Sequence, residues 1–166
     1  MKAWRLSRFD SQQRTFDGEG ARLFPGRWNP AGVPVVYASE HLSLAVLEVL
    51  VHARADQVRI TFHAFEITIP DVLVEVVRDE QLPRSWDGAA IARATRELGD
   101  TWARERRSVA LSVPSVIVRQ ERNVVLNPLY PEFAQLQVAR PVRFRFDERL
   151  VRVSGQPPAG GPLHPR

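Results

Sequence analysis

Residues 33–53 read VPVVYASEHLSLAVLEVLVHA, and a change of rhythm inside them decides the class of fold. Val33, Val35, Val36 and Tyr37 favour extended backbone, and Pro34 near the start suits a strand's beginning or an edge. Ser39 is the residue type that caps a helix N-terminus. From His41 to Ala53 the period becomes helical, with Leu44, Leu47 and Val51 on one side. A strand therefore runs straight into a helix.

Working outward, Trp4 to Arg8 (WRLSR) reads as a short first strand and Asp17 to Asn29 (DGEGARLFPGRWN) as a turn-rich loop. Val58 to Ile69 (VRITFHAFEITI) is a strong strand signal whose alternation changes phase, which predicts a bulge near Ala64. Val72 to Val77 is a further strand. Ser85 to Arg107 is the longest helical stretch, with Ile91, Leu98 and Trp102 as anchors. Val109 to Val113 and Val116 to Arg119 read as short strands interrupted by Pro114 and Ser115. Asn123 to Pro131 reads as a loop. Pro141 to Asp147 alternates Val142, Phe144 and Phe146 against arginines, as a half-buried strand does. Strands outnumber helices without regular interleaving, which argues an α+β fold.

The 166 residues suffice for one domain with a real core and leave little room for a second. Residues 1–153 read as that domain; 154–166 (SGQPPAGGPLHPR) reads as a disordered Pro/Gly-rich tail. The absence of cysteine excludes disulfides, thiolate metal sites and thiol catalysis. No apolar run approaches the ~20 residues that span a bilayer, and the N-terminus carries no signal-peptide pattern, so the expected location is the cytoplasm. The net charge is +4, and of 23 basic residues only Lys2 is lysine. The arginines are dispersed and locally balanced, which argues against a nucleic-acid stripe but suits an anionic small molecule.

Glu48 is the most informative position. Helical spacing from Leu44 and to Val51 places it against the apolar face, where a carboxylate must be paired, hydrogen-bonded or facing a cavity. Two readings stand on spacing alone: an edge glutamate paired with an arginine, or a catalytic carboxylate. Arg27, between Gly26 and Trp28, suits bidentate recognition of a phosphate or diol, or an ordinary loop ion pair. Tyr37 fits either a core or a ring-stacking role at a strand end. Ser115 lacks a G-x-S-x-G setting, so no hydrolase nucleophile is read there. His41, His52, His63 and His164 are scattered and support no metal site. No P-loop or dinucleotide fingerprint is present.

In order and spacing, GRWNPAGVPVVYASEHLSLAVLEVLVHA and LSVPSVIVRQERNVVLNPLYP together resemble the two signatures of the RES-domain family. WRLSR and DGEGAR fit its opening, and the resemblance covers residues 1 to 150. The family's Arg, Glu and Ser correspond to Arg27, Glu48 and Ser115. The resemblance implies a toxin of a bacterial toxin–antitoxin pair with a fold similar to ADP-ribosyltransferases. It implies a single domain with a mixed, mostly antiparallel sheet, split as in those enzymes and flanked by a few helices. It also implies NAD as substrate, no metal, and cleavage of the nicotinamide–ribose bond by hydrolysis or phosphorolysis. The alternative is transfer of ADP-ribose to a protein; a non-catalytic nucleic-acid-binding module is the reading from another class. Glu48 would stabilise the developing positive charge, Arg27 grip the pyrophosphate or ribose, and Tyr37 stack on nicotinamide. Ser115, Asn127 and Arg5 would line the pocket. The implied partner is a helix-turn-helix antitoxin that covers the active site. A homodimer or a larger complex with the antitoxin is compatible with it, and no membrane or direct nucleic-acid contact is expected. The family loop often reads N-P-x-H-P, whereas here Tyr130 stands in the histidine position of NPLYP.

Overall fold

Strand β1 (Lys2–Ser7) opens the computed structural model, which describes residues 1–53 and 59–152. Two short helices follow, α1 (Gln12–Thr15) and α2 (Glu19–Leu23). The second lies inside the stretch expected to be all loop. Gly18 enters it at φ +75°, a left-handed conformation that favours glycine. Strand β2 (Val36–Ser39) leads into α3 (Leu42–His52) as expected, but the residue at the helix N-cap is His41, not Ser39.

Strand β3 (Phe62–Thr68) pairs with β1 in unbroken register, from Lys2 opposite Thr68 to Ser7 opposite His63. The bulge expected near Ala64 is therefore absent. The apolar pattern changes phase because both faces of β3 are covered: Phe62 and Ala64 pack with α3, while Phe65 and Ile67 enter the core on the other face. Val58, where that strand was expected to begin, lies outside the described residues, as does the tail at 154–166.

Strand β4 (Val74–Val76) starts later than expected, because Asp71–Leu73 forms a 3-10 turn. Helix α4 (Arg93–Arg104) is half the length expected. The backbone carbonyls of Trp86 and Gly88 are taken by Arg27, and Ile91 lies exposed before the helix starts. Strand β5 (Ala110–Pro114) is followed by a turn where a second strand was expected at 116–119. There the Ser115 hydroxyl accepts the N–H groups of Ile117 and Val118, a local bond that competes with strand pairing. Strand β6 (Arg122–Leu126) occupies the start of the expected loop, and it is an interior strand. Strands β7 (Gln137–Val138) and β8 (Val142–Phe144) both pair with β3, and α5 (Glu148–Arg152) closes the described chain. The strand expected over 141–147 thus shortens to β8, with Val142 exposed and Phe146 buried edge-on against Phe62.

The eight strands form one mixed sheet in the order β4-β5-β6-β2-β1-β3-β7, with β8 also on β3. Among the described residues only β4 and β5 run parallel. This is the α+β, mostly antiparallel architecture expected. The two halves meet weakly. The ladder between β1 and β2 has a single pair, Trp4 opposite Ser39. Arg5 supplies what the ladder lacks there, donating from Nη1 to the Tyr37 carbonyl at 2.6 Å and from Nε to that of Thr15 at 3.0 Å. Burial pulls the Arg5 guanidinium down to about 10, opposed by Asp17.

Helix α3 covers the β1–β3 half through Ala45, Val46, Val49 and Leu50, against Leu6, Phe62 and Ala64. Helix α4 belongs to the core of the other half, where Trp102 packs with Trp28, Leu111, Val113 and Val125. Tyr37 packs against this second core, on strand β2 beside the junction.

Candidate active site

Strand β2 supplies the floor. Tyr37 is half-buried, and its hydroxyl is held from two directions. It accepts the Trp28 N–H at 3.0 Å and donates to Asn29 Oδ1 at 2.8 Å. Burial pushes its phenol well above the ordinary value. The Tyr37 ring lies so close to Gly26 that a Cβ there would meet its oxygen at 2.5 Å, so the loop needs glycine.

Asn29 ties this loop together. It is fully buried, accepts the Gly26 N–H at 2.9 Å, and donates to the carbonyls of Ala21, Pro30 and Val33. Helix α4 clamps the loop from outside. Arg96 Nε donates to the Gly26 carbonyl at 3.1 Å, and Gly99 admits the Trp28 carbonyl where a Cβ would lie 1.8 Å from it.

Arg27 projects from the loop toward residues 86–88. Its Nη1 donates to the Trp86 carbonyl at 2.5 Å and its Nη2 to the Gly88 carbonyl at 3.0 Å. Two of its five N–H donors are so engaged. Beside this segment lies a cavity of about 430 Å³ lined by Leu82, Arg84, Trp86, Pro114 and Arg119. Arg119 is also paired with Asp87.

Glu48 reaches the site from α3. The helix's buried stripe runs through Ala45, Val46 and Val49, while Leu47 and Val51 are exposed. Glu48 therefore stands at the border of the stripe rather than on the Leu44–Leu47–Val51 face expected from spacing. Its carboxylate points to the end of the β5–β6 hairpin. Ser115 Oγ donates to Oε1 at 3.2 Å, and Asn123 Nδ2 donates to the same oxygen. Oε2 lies 4.0 Å from His52 Nε2, one turn further along the helix. Ser39, expected as a helix cap, instead donates to Asn123 Oδ1 at 2.7 Å.

The structure thus brings Ser115 to Glu48 and sets Tyr37 and Arg27 on one loop–strand unit beside them. It places the other two expected residues elsewhere. Asn127 is four positions beyond Asn123 on the β6 line, about 13 Å along extended chain. Its fully buried amide donates to the Ala103 carbonyl of α4 and accepts the Leu129 N–H. Arg5 is spent on the carbonyls at the sheet junction. Sequence reasoning missed Asn29, Asn123 and the use of Ser39. The available signal for Asn29 was an Asn-Pro pair inside a turn-rich loop, and Asn123 carried none. No helix is long and apolar enough to cross a membrane, and no three His, Cys, Asp or Glu side chains gather as a metal site, both among the described residues.

The RES domain family model matches residues 2–147. A protein named Toxin Res from Photorhabdus laumondii is 37% identical over 153 residues, covering 92% of this chain and 98% of that protein. A Prs ADP-ribosylating toxin from a Sphingobium strain is 33% identical over 157 residues, covering 90% of this chain and 96% of its own. Among solved structures, the crystal structure of the M. tuberculosis MbcT–MbcA toxin–antitoxin complex superposes with a TM-score of 0.72 at 19% identity. That match covers 92% of this chain and 87% of the other.

Proposed function

The chain belongs to the RES-domain family, and from that premise we propose that it is the toxin of a toxin–antitoxin pair that cleaves the nicotinamide–ribose bond of NAD. The observation that carries this reading is the Glu48 carboxylate. One of its oxygens is held by Ser115 and Asn123, and its charge acts on the Tyr37 phenol. The C–N bond breaks with its electron pair going to nicotinamide, which leaves neutral and needs no strong acid. The ribose becomes oxocarbenium-like, and a fixed carboxylate stabilises that charge. Water or phosphate then adds to the ribose carbon and loses a proton.

In this reading Tyr37 stacks on the nicotinamide ring. Arg27 meets the pyrophosphate with the donors not spent on Trp86 and Gly88. The cavity beside Trp86, with Arg84 and Arg119 in its wall, suits the adenosine end, a flat adenine ring joined through ribose to phosphate. No metal enters the scheme. The toxin–antitoxin title of the structural neighbour supports an antitoxin as partner.

Purified protein incubated with NAD should release nicotinamide, followed by chromatography with and without phosphate, and folded Glu48→Gln should lose on the order of 10²-fold or more. Equal release by folded Glu48→Gln would overturn the assignment. The name of the Sphingobium relative supports a second reading, transfer of ADP-ribose to a protein. It predicts a labelled protein in exposed lysate and little nicotinamide release without one.

A further inference from the structure

We infer that Asn123, held in place by Ser39, is a positioning residue that fixes which oxygen of Glu48 faces the substrate; this rests on the proposed catalytic reading of Glu48. The argument starts from donor and acceptor types. An ionised carboxylate only accepts hydrogen bonds, so the side-chain amide facing it must present its NH2 group. That sets the Asn123 Nδ2 toward Glu48 Oε1 and turns its Oδ1 to Ser39. The Ser39 hydroxyl must then be the donor of that bond.

Ser39 is buried at 3% exposure, on β2 directly opposite Asn123 on β6. Its backbone position is fixed from the other side by the pair with Trp4. Turned over, the amide could keep a bond to Ser39, whose hydroxyl also accepts, but it would set its oxygen against Glu48 Oε1, acceptor facing acceptor, and lose the bond to the carboxylate. Ser115 reinforces the same choice. Its hydroxyl accepts two backbone N–H groups, which aims its own proton at Oε1.

Both donors converge on Oε1 and neither on Oε2. The carboxylate is thus held by one oxygen, and the other lies 4.0 Å from His52 Nε2. A carboxylate that has to face a developing ribose cation works through geometry fixed before the reaction. Asn123 and Ser39 supply that fixing from the sheet floor and touch no reacting atom themselves.

Three variants test this in the nicotinamide-release assay. Asn123→Asp keeps the shape but replaces the donor with an acceptor; Asn123→Ala removes the group; Ser39→Ala removes only the hydroxyl that holds the amide from β2. Both Asn123 variants should lose about tenfold or more in kcat, with KM within about twofold, and Ser39→Ala should lose less. Asn123→Asp should be at least as impaired as Asn123→Ala, whereas a role in packing alone would spare it. NMR gives a readout apart from activity: the Asn123 side-chain NH2 signal of the unaltered protein should move when Glu48 is changed to Ala. An unchanged kcat in folded Asn123→Asp, or an NH2 signal indifferent to Glu48, would overturn the inference. Absence of nicotinamide release from the unaltered protein would overturn instead the reading on which it rests.

Discussion

The hydroxyl of Tyr37 and the side-chain oxygen of Asn29 lie 2.8 Å apart, joining the floor of the site to the loop that carries Arg27. Removing that hydroxyl in Tyr37→Phe should cost about 1 kcal/mol of stability. It should also raise KM for NAD, because Arg27 and Trp28 lose their anchor. Thermal unfolding and nicotinamide-release kinetics check the two halves separately.

The same phenol predicts an alkaline signature. Burial raises the folded-state value above the ordinary 10, so the folded chain holds this proton when the unfolded chain releases it. The stability contribution is full below pH 10 and falls away as pH rises beyond it. The difference in unfolding free energy between the native chain and Tyr37→Phe, measured from pH 8 to 11, should therefore shrink at the alkaline end. A difference constant across that range would contradict the burial of this group.

Asn29 makes its bonds with no water access, so Asn29→Ala leaves the Gly26 N–H and several carbonyls unpaired in the interior. A loss of roughly 2–4 kcal/mol is expected, by analogy with other buried groups stranded without partners. Urea unfolding measures it directly.

Arg27→Lys keeps the charge but cannot hold the carbonyls of Trp86 and Gly88 together. Amide hydrogen exchange over residues 84–92 should quicken by about tenfold, with exchange in β5 and β6 unchanged. An unaltered pattern at 84–92 would show that this segment is held by other means.

Gly99→Ala would drive a methyl group into the Trp28 carbonyl, and backbone cannot yield as a side chain can. Destabilisation of about 3 kcal/mol or more is expected, read as loss of soluble protein or a much lower thermal midpoint.

What the sequence made legible followed from local rhythm. The step from strand to helix across residues 33–53 was visible because periodicity changes within one window. The α+β class followed from the count of strands. Strand β6 was hidden because Arg122 and Asn123 open it and only three apolar residues follow. The phase change in β3 suggested a bulge, but it reflects two covered faces; alternation alone does not distinguish the two. Glu48 and Ser115 are 67 residues apart, so no spacing rule joins them. Family resemblance paired them; the fold then showed the contact. Asn123 and the true partner of Ser39 escaped notice because a polar pair joined across two strands has no pattern of its own, only partners.

The junction of the sheet has a consequence for how the chain comes to life. Glu48 rides on the helix packed over β1 and β3. Its anchors Ser115 and Asn123 belong to strands on the other side of a single-rung seam. A growing chain that stops before residue 115 already holds Arg27, Tyr37 and Glu48, yet has nothing to steady the carboxylate. If Glu48 acts as proposed, its competence is a property of the finished molecule, acquired when β5 and β6 close against the earlier-made β2. On the proposed reading, a fragment that ends before Ser115 carries Glu48 without the two side chains that hold its Oε1.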